Sequence, residues 1–193
     1  MNRNLSLGQV RGTAVALLVA LAAFAIMPNA GRAQVISNVA TVNLNAAIVE
    51  TIAVSVSANT VNFNLQAGTG PTAGAPTVSV TTAWNVHPGP SPTLSLYGYF
   101  ASSTIALTDG AGSNIASALV LSSVNAGAAS PFNQTGPFGA ASASRQLFSL
   151  GITGANKVGT RTDTLDLSID LTTLPNQPAG TYTGVLSLQA RAL

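Results

Sequence analysis

His87 is the one histidine of the chain, in the stretch Trp84-Asn85-Val86-His87-Pro88. A hydrolytic triad needs a base within hydrogen-bond reach of a nucleophile and oriented by an acid. No Gly-x-Ser-x-Gly elbow is present, and His87 falls where an alternating segment runs into Pro88-Gly89-Pro90, so it reads as a turn residue. Zinc has equally little to hold it, because one His and no Cys leave only carboxylates as further ligands. Asp163, Asp166 and Asp170 form the one acidic cluster. On a strand Asp166 and Asp170 share a face about 13 Å apart, too far to act on one bond or to share a calcium ion. The Asp-x-Asp-x-Asp-Gly calcium loop is absent. These acids read as solvated charges on an outward strand face, where they also discourage edge pairing. No catalytic residue, metal site or cofactor is expected.

The aromatic residues Trp84, Tyr97, Tyr99 and Phe100 concentrate half-way along the chain. Trp84 reads as a core residue of its strand. Tyr97 and Tyr99 fall on one face, opposite Leu96 and Phe100, where exposed rings could stack on a sugar or pack across strands.

The elements that position these residues show period-two alternation. Ala40, Val42, Leu44, Ala46 and Ile48 interleave with polar neighbours, as do Ile52, Val54 and Val56, then Val61, Phe63 and Leu65. Leu165, Leu167, Ile169 and Leu171 repeat the pattern, and Tyr182, Leu186, Leu188 and Ala190 share a face near the end. Such alternation marks half-buried antiparallel strands. Strands are expected at 35–48, 51–57, 60–66, 77–86, 93–100, 104–108, 117–124, 146–152, 164–171 and 181–191. Between them lie turn-rich stretches of Gly, Pro, Asn and Asp, the longest being Asn125–Ser144, which reads as a lid, a flexible loop or an insertion. Many short strands separated by turns predict an antiparallel β-sandwich. In Pro178-Ala179-Gly180-Thr181-Tyr182, a turn precedes a Tyr at the opening of a core strand. This resembles the tyrosine corner of immunoglobulin-like sandwiches and gives Gly180 and Tyr182 a structural role.

The first 33 residues read as a signal peptide. Arg3 and Arg11 precede an uncharged apolar run from Ala14 to Met27, and Pro28 and Ala30-Gly31-Arg32-Ala33 prepare a cut before Gln34. An apolar run of that length lies within the ~7–15 residues of such leaders and below the ~20 that span a bilayer. No membrane span is expected in the mature chain.

The whole chain has 193 residues and 6% charged side chains, with 7 basic against 5 acidic residues, and its pI is near 9.5. Cleavage removes Arg3, Arg11 and Arg32, leaving four basic residues and a net charge of about −1. The basicity therefore gives no support to nucleic-acid binding. With no Cys, no disulfide supports an exported fold. A nearly neutral surface also offers little electrostatic resistance to self-association.

The leader, the alternating arm from Val35 to Ile48 and the closing Pro178-Ala-Gly-Thr-Tyr-Thr-Gly-Val-Leu-Ser-Leu stretch resemble secreted pilin-like and spore-coat-U-like subunits. That resemblance implies an immunoglobulin-like sandwich lacking a strand, completed by a periplasmic chaperone during export and then by the arm of another subunit. It implies Val42, Leu44, Ala46 and Ile48 as plugs, with Leu186, Leu188 and Ala190 lining the acceptor groove. Many relatives carry a disulfide and end near an aromatic residue, whereas this chain has neither feature. The arm reads either as a donated strand or as the first strand of its own domain. The expected organisation is a leader (1–33), an arm (34–49) and a sandwich (50–193). The expected function is an exported, non-catalytic subunit of a surface fibre or coat, secreted through the periplasm in a Gram-negative source, with its own kind or related subunits as partners. The alternative is a monomeric adhesin or carbohydrate-binding module.

Overall fold

A computed structural model describes residues 37–89 and 92–193. The leader expected over 1–33 lies outside the described residues. The chain divides into two units, Met1–Ala46 and Ala47–Leu193. In the first, residues 37–46 form no strand and their side chains are exposed. The strand expected over 35–48 is therefore not formed across 37–48. Alternation specifies which side chains a strand would bury, but a strand also needs a ladder partner for its backbone groups. None pairs with these residues among those described.

The second unit is all-β. Its strands are β1 (Thr51–Val56), β2 (Thr72–Ala73), β3 (Val78–Asn85), β4 (Thr93–Tyr99), β5 (Leu107–Thr108) and β6 (Asn114–Ile115). They continue with β7 (Val120–Val124), β8 (Ser130–Pro131), β9 (Ser144–Gly151), β10 (Val158–Ile169) and β11 (Ser187–Ala192). A 3-10 turn at Ser117–Leu119 leads into β7, and no α-helix occurs among the described residues. One sheet has the order β1-β3-β10-β7-β8, with β2 also on β10; the second is β11-β4-β9; β5 and β6 form a small hairpin. Every pairing is antiparallel.

The alternation does its work most clearly in β3, where Val78, Val80, Thr82 and Trp84 point inward and their neighbours do not. Val78, Val80 and Trp84 meet Leu94 and Leu96 of β4, Phe148 of β9 and Leu165 of β10, so residues of both sheets share one core, as in a β-sandwich. A second cluster gathers Phe100, Ile115, Val120, Phe132 and Ile169. Trp84 is buried as expected, its Nε1 donating to the Asn156 carbonyl at 2.8 Å.

Two expectations change here. Asp163 does not face water: it is 4% exposed on the inward side of β10. A buried carboxylate needs charged or polar partners, and Arg161 and Asn125 supply them. The Asn125–Ser144 stretch is a built part of the fold. It contains β8, buries Phe132 completely, and sets the Phe132 ring edge-on to Phe100 at 5.3 Å.

Candidate functional site: an open groove into the core

Beyond β1 the chain stays extended without joining a sheet. Val61, Phe63 and Leu65 turn inward, while Asn62, Asn64 and Gln66 are exposed. Asn62 alone makes a bridge, exchanging backbone bonds with Ala75 at 2.8 and 2.9 Å. Successive residues of an extended chain direct their N–H and C=O groups to opposite sides. Those of Val61 and Phe63 therefore face away from Ala75 and meet no backbone partner among the described residues. The stretch before β11 repeats this arrangement. Thr183 exchanges bonds of 2.9 Å each way with Thr108, leaving the backbone groups of Tyr182 and Gly184 unpaired on the other side. The strand expected over 181–191 thus starts only at Ser187, and that expected over 60–66 is reduced to one bridge. Each lacks a neighbour, not an alternating pattern.

Both stretches border one groove of about 1320 Å³. Val78, Phe100, Ile115, Val120, Leu165 and Ile169 reach it from the two core clusters, so it opens onto the interior of the domain. Its rim carries Asn, Gln and Thr, and no Asp, Glu, Lys or Arg is among the residues lining it. Such a surface can bury apolar side chains and offer main-chain hydrogen bonds. The polar groups it presents are uncharged amides and hydroxyls.

Leu186 and Leu188 line this groove; Ala190 does not, being paired with Leu96 farther along β11. Gly180 and Tyr182 stand on the rim, and the Tyr182 hydroxyl donates to the Pro178 carbonyl at 2.9 Å. Val42 and Leu44 are 82% and 90% exposed, Ile48 is 86% exposed, and Ala46 is exposed as well. Trp84 packs elsewhere in the core and is not part of the lining. Gly184 escaped sequence reasoning: a Cβ there would lie 1.9 Å from the Ala106 carbonyl oxygen. No local signal separates it from the other turn glycines.

Tyr97 and Tyr99 lie on the outer face of β4, half-buried beneath Phe138. The Phe138 ring is edge-on to Tyr97 at 5.7 Å and stacked on Tyr99 at 6.2 Å. His87 is exposed, and its backbone N–H donates to Glu50 Oε1 at 2.6 Å. No group of three His, Cys, Asp or Glu side chains that could hold a metal occurs among the described residues.

Charge is concentrated away from the groove. Asp163 accepts from Arg161 Nε and Nη2, both at 2.7 Å, and from Asn125 Nδ2 at 2.6 Å. Burial pushes its carboxyl up, but these hydrogen bonds and the Arg161 charge outweigh that and hold it below the usual carboxylate value. Arg145 of β9 reaches Ser122 Oγ at 2.7 Å and the Ser130 carbonyl at 2.8 Å, and also bonds the Ser122 carbonyl. Burial lowers the Arg145 pKa from its ordinary value.

No protein-family model, curated protein or solved structure matches the chain. No helix among the described residues is long and apolar enough to cross a membrane.

Proposed function

We propose that the chain is an exported, non-catalytic structural subunit of a surface fibre or coat, built on an immunoglobulin-like sandwich that lacks one strand and assembles by accepting a strand from another copy. The observation that carries this reading is the uncharged groove bordered by two extended stretches with unpaired backbone groups. A strand laid there adds main-chain hydrogen bonds and buries alternate side chains, which is β-augmentation. The groove exceeds the roughly 300–1,000 Å³ of ordinary small-molecule sites. A strand-sized occupant suits it better.

The arm supplies such a strand, with Val42, Leu44, Ala46 and Ile48 on one face. Chain reach favours donation to another copy. Ile48 stands three residues before Thr51 and extends at most about 10 Å from it. Val56, the first β1 residue at the groove, lies about 17 Å along the strand from Thr51. Seating the full set of plugs therefore calls for a second molecule. Before assembly, a periplasmic chaperone could cover the same groove.

The test is the size of the purified chain beginning at Gln34, compared with a variant lacking residues 34–48. We expect the first to form polymers visible by electron microscopy, and the second to remain a folded monomer that accepts a peptide of residues 38–50. A stable monomer from the first chain, with no uptake of the peptide by the second, overturns the reading.

A further inference from the structure

A second site lies on the outer face of the β11-β4-β9 sheet, away from the groove. We infer that a pocket between Tyr97 and Arg191 binds a carboxylate-bearing sugar ring. The pocket holds about 240 Å³ and is lined by Thr93, Ser95, Tyr97, Pro137, Arg191 and Leu193. That is room for one small ring, below the roughly 300–1,000 Å³ of larger ligand sites.

The polar groups around it are donors. Gln146 Nε2 donates to Ser95 Oγ at 3.1 Å and to the Tyr97 hydroxyl at 3.3 Å. Neither hydroxyl has an acceptor for its own proton among the described residues, so both can donate into the pocket. Arg191 adds a permanent cation. No carboxylate lies within ion-pair distance of its guanidinium among the described residues. An arginine fork fits a carboxylate. Arg191 is instead held by packing, its Cζ 5.9 Å from the centre of the Phe138 ring. Donors on several sides call for an anion rich in oxygen. Tyr97 and Pro137 line the pocket beside them and add apolar surface for the C–H side of a sugar. A uronic acid combines these features.

This inference does not depend on the assembly reading. The test is saturation-transfer NMR on the full mature chain with glucuronate, glucose and acetate as separate probes, a measurement that works on monomer and polymer alike. Glucuronate should saturate in the millimolar range, with glucose and acetate at least tenfold weaker. Arg191→Gln should weaken glucuronate at least tenfold, and Phe138→Leu, which keeps an apolar side chain over Tyr97, should weaken it severalfold if Arg191→Gln does not fold. No transfer from glucuronate, equal binding of glucose, equal binding of acetate (an adventitious ion only), or folded variants that bind as the parent does would each overturn it.

Discussion

Arg161 and Asp163 stand two residues apart on β10 and still form a two-pronged ion pair, with Nε and Nη2 each 2.7 Å from a carboxylate oxygen. The guanidinium also lies 4.6 Å over the ring of Phe148, which belongs to the opposite sheet. One charged pair thus fastens β10 to β9. Asp163→Ala leaves Arg161 and Asn125 without their acceptor, and charged hydrogen bonds of this kind contribute about 1.5–3 kcal/mol. A loss of that size in urea unfolding is the expected outcome. Phe148→Ala adds its own cost of about 3–5 kcal/mol through the cavity it leaves.

The same pair sets an acid limit on stability. The Asp163 pKa is lowered in the folded protein, so its contribution is present above the unfolded value of about 3.9 and is lost as pH falls through the lowered value. Asp109 and Asp170 are lowered too, the first by the Ala111 N–H and the second by the Thr172 hydroxyl, and act with the same sign. The urea midpoint should change little between pH 7 and 5 and fall below about pH 4. In Asp163→Asn that fall should be shallower, which a series of unfolding curves measures.

Two glycines near the groove should behave oppositely. A Cβ at Gly184 meets the backbone of Ala106, which cannot move without disturbing the Thr108–Thr183 bridge next to it. Gly184→Ala should destabilise by about 1–3 kcal/mol, as overpacking does. At Gly180 the nearest atom to an added Cβ is 3.9 Å away, so Gly180→Ala should stay within about 0.5 kcal/mol. Thermal unfolding of the two variants distinguishes them.

An open groove should also respond to an added strand. A synthetic peptide of residues 38–50, mixed with the chain lacking 34–48, should raise its stability by about 2.7 kcal/mol at a hundred times its Kd. Replacing Leu44 and Ile48 in the peptide by Asp should abolish the effect. Leu186→Asp or Leu188→Asp in the domain should do the same, whereas Ala190→Ser, outside the groove, should not.

Alternation made β1, β3 and β4 legible nearly to the residue, because each has an apolar inward face and a partner to pair with. β10 begins at Val158, seven residues before its apolar run opens at Leu165, because its inward positions there are Gly159, Arg161 and Asp163. Gly159 leaves room for the Trp84 ring, which a Cβ would approach to 2.5 Å, and the other two pair with each other. These are tertiary facts with no local trace. Phe132 is hidden for a similar reason, as an isolated ring within a stretch rich in Gly, Ala and Ser. The alternation of the arm and of Leu186 and Leu188 could be read from side-chain order, whereas their assignment as plugs and groove lining rests on the resemblance to pilin-like subunits. The groove itself could not be read in this way, since it consists of missing neighbours for Val61–Leu65 and Tyr182–Leu186. Sequence periodicity marks a buried face; it does not count the strands that bury it.

The placement of Arg145 and Arg161 has a dynamic consequence. Both join β9 to the far sheet, through Ser122 and Ser130 in one case and through Phe148 in the other, while no charged residue lines the groove on the opposite flank. Spreading the sheets at the pinned flank would expose paired charges and polar bonds. At the groove no charged side chain has to be exposed. The domain should therefore breathe about the pinned flank, with amides of β7 and the Arg145 end of β9 among the slowest to exchange with deuterium and those of Tyr182 and Gly184 among the fastest. An incoming strand would find its slot already loosened, and would slow that exchange once in place.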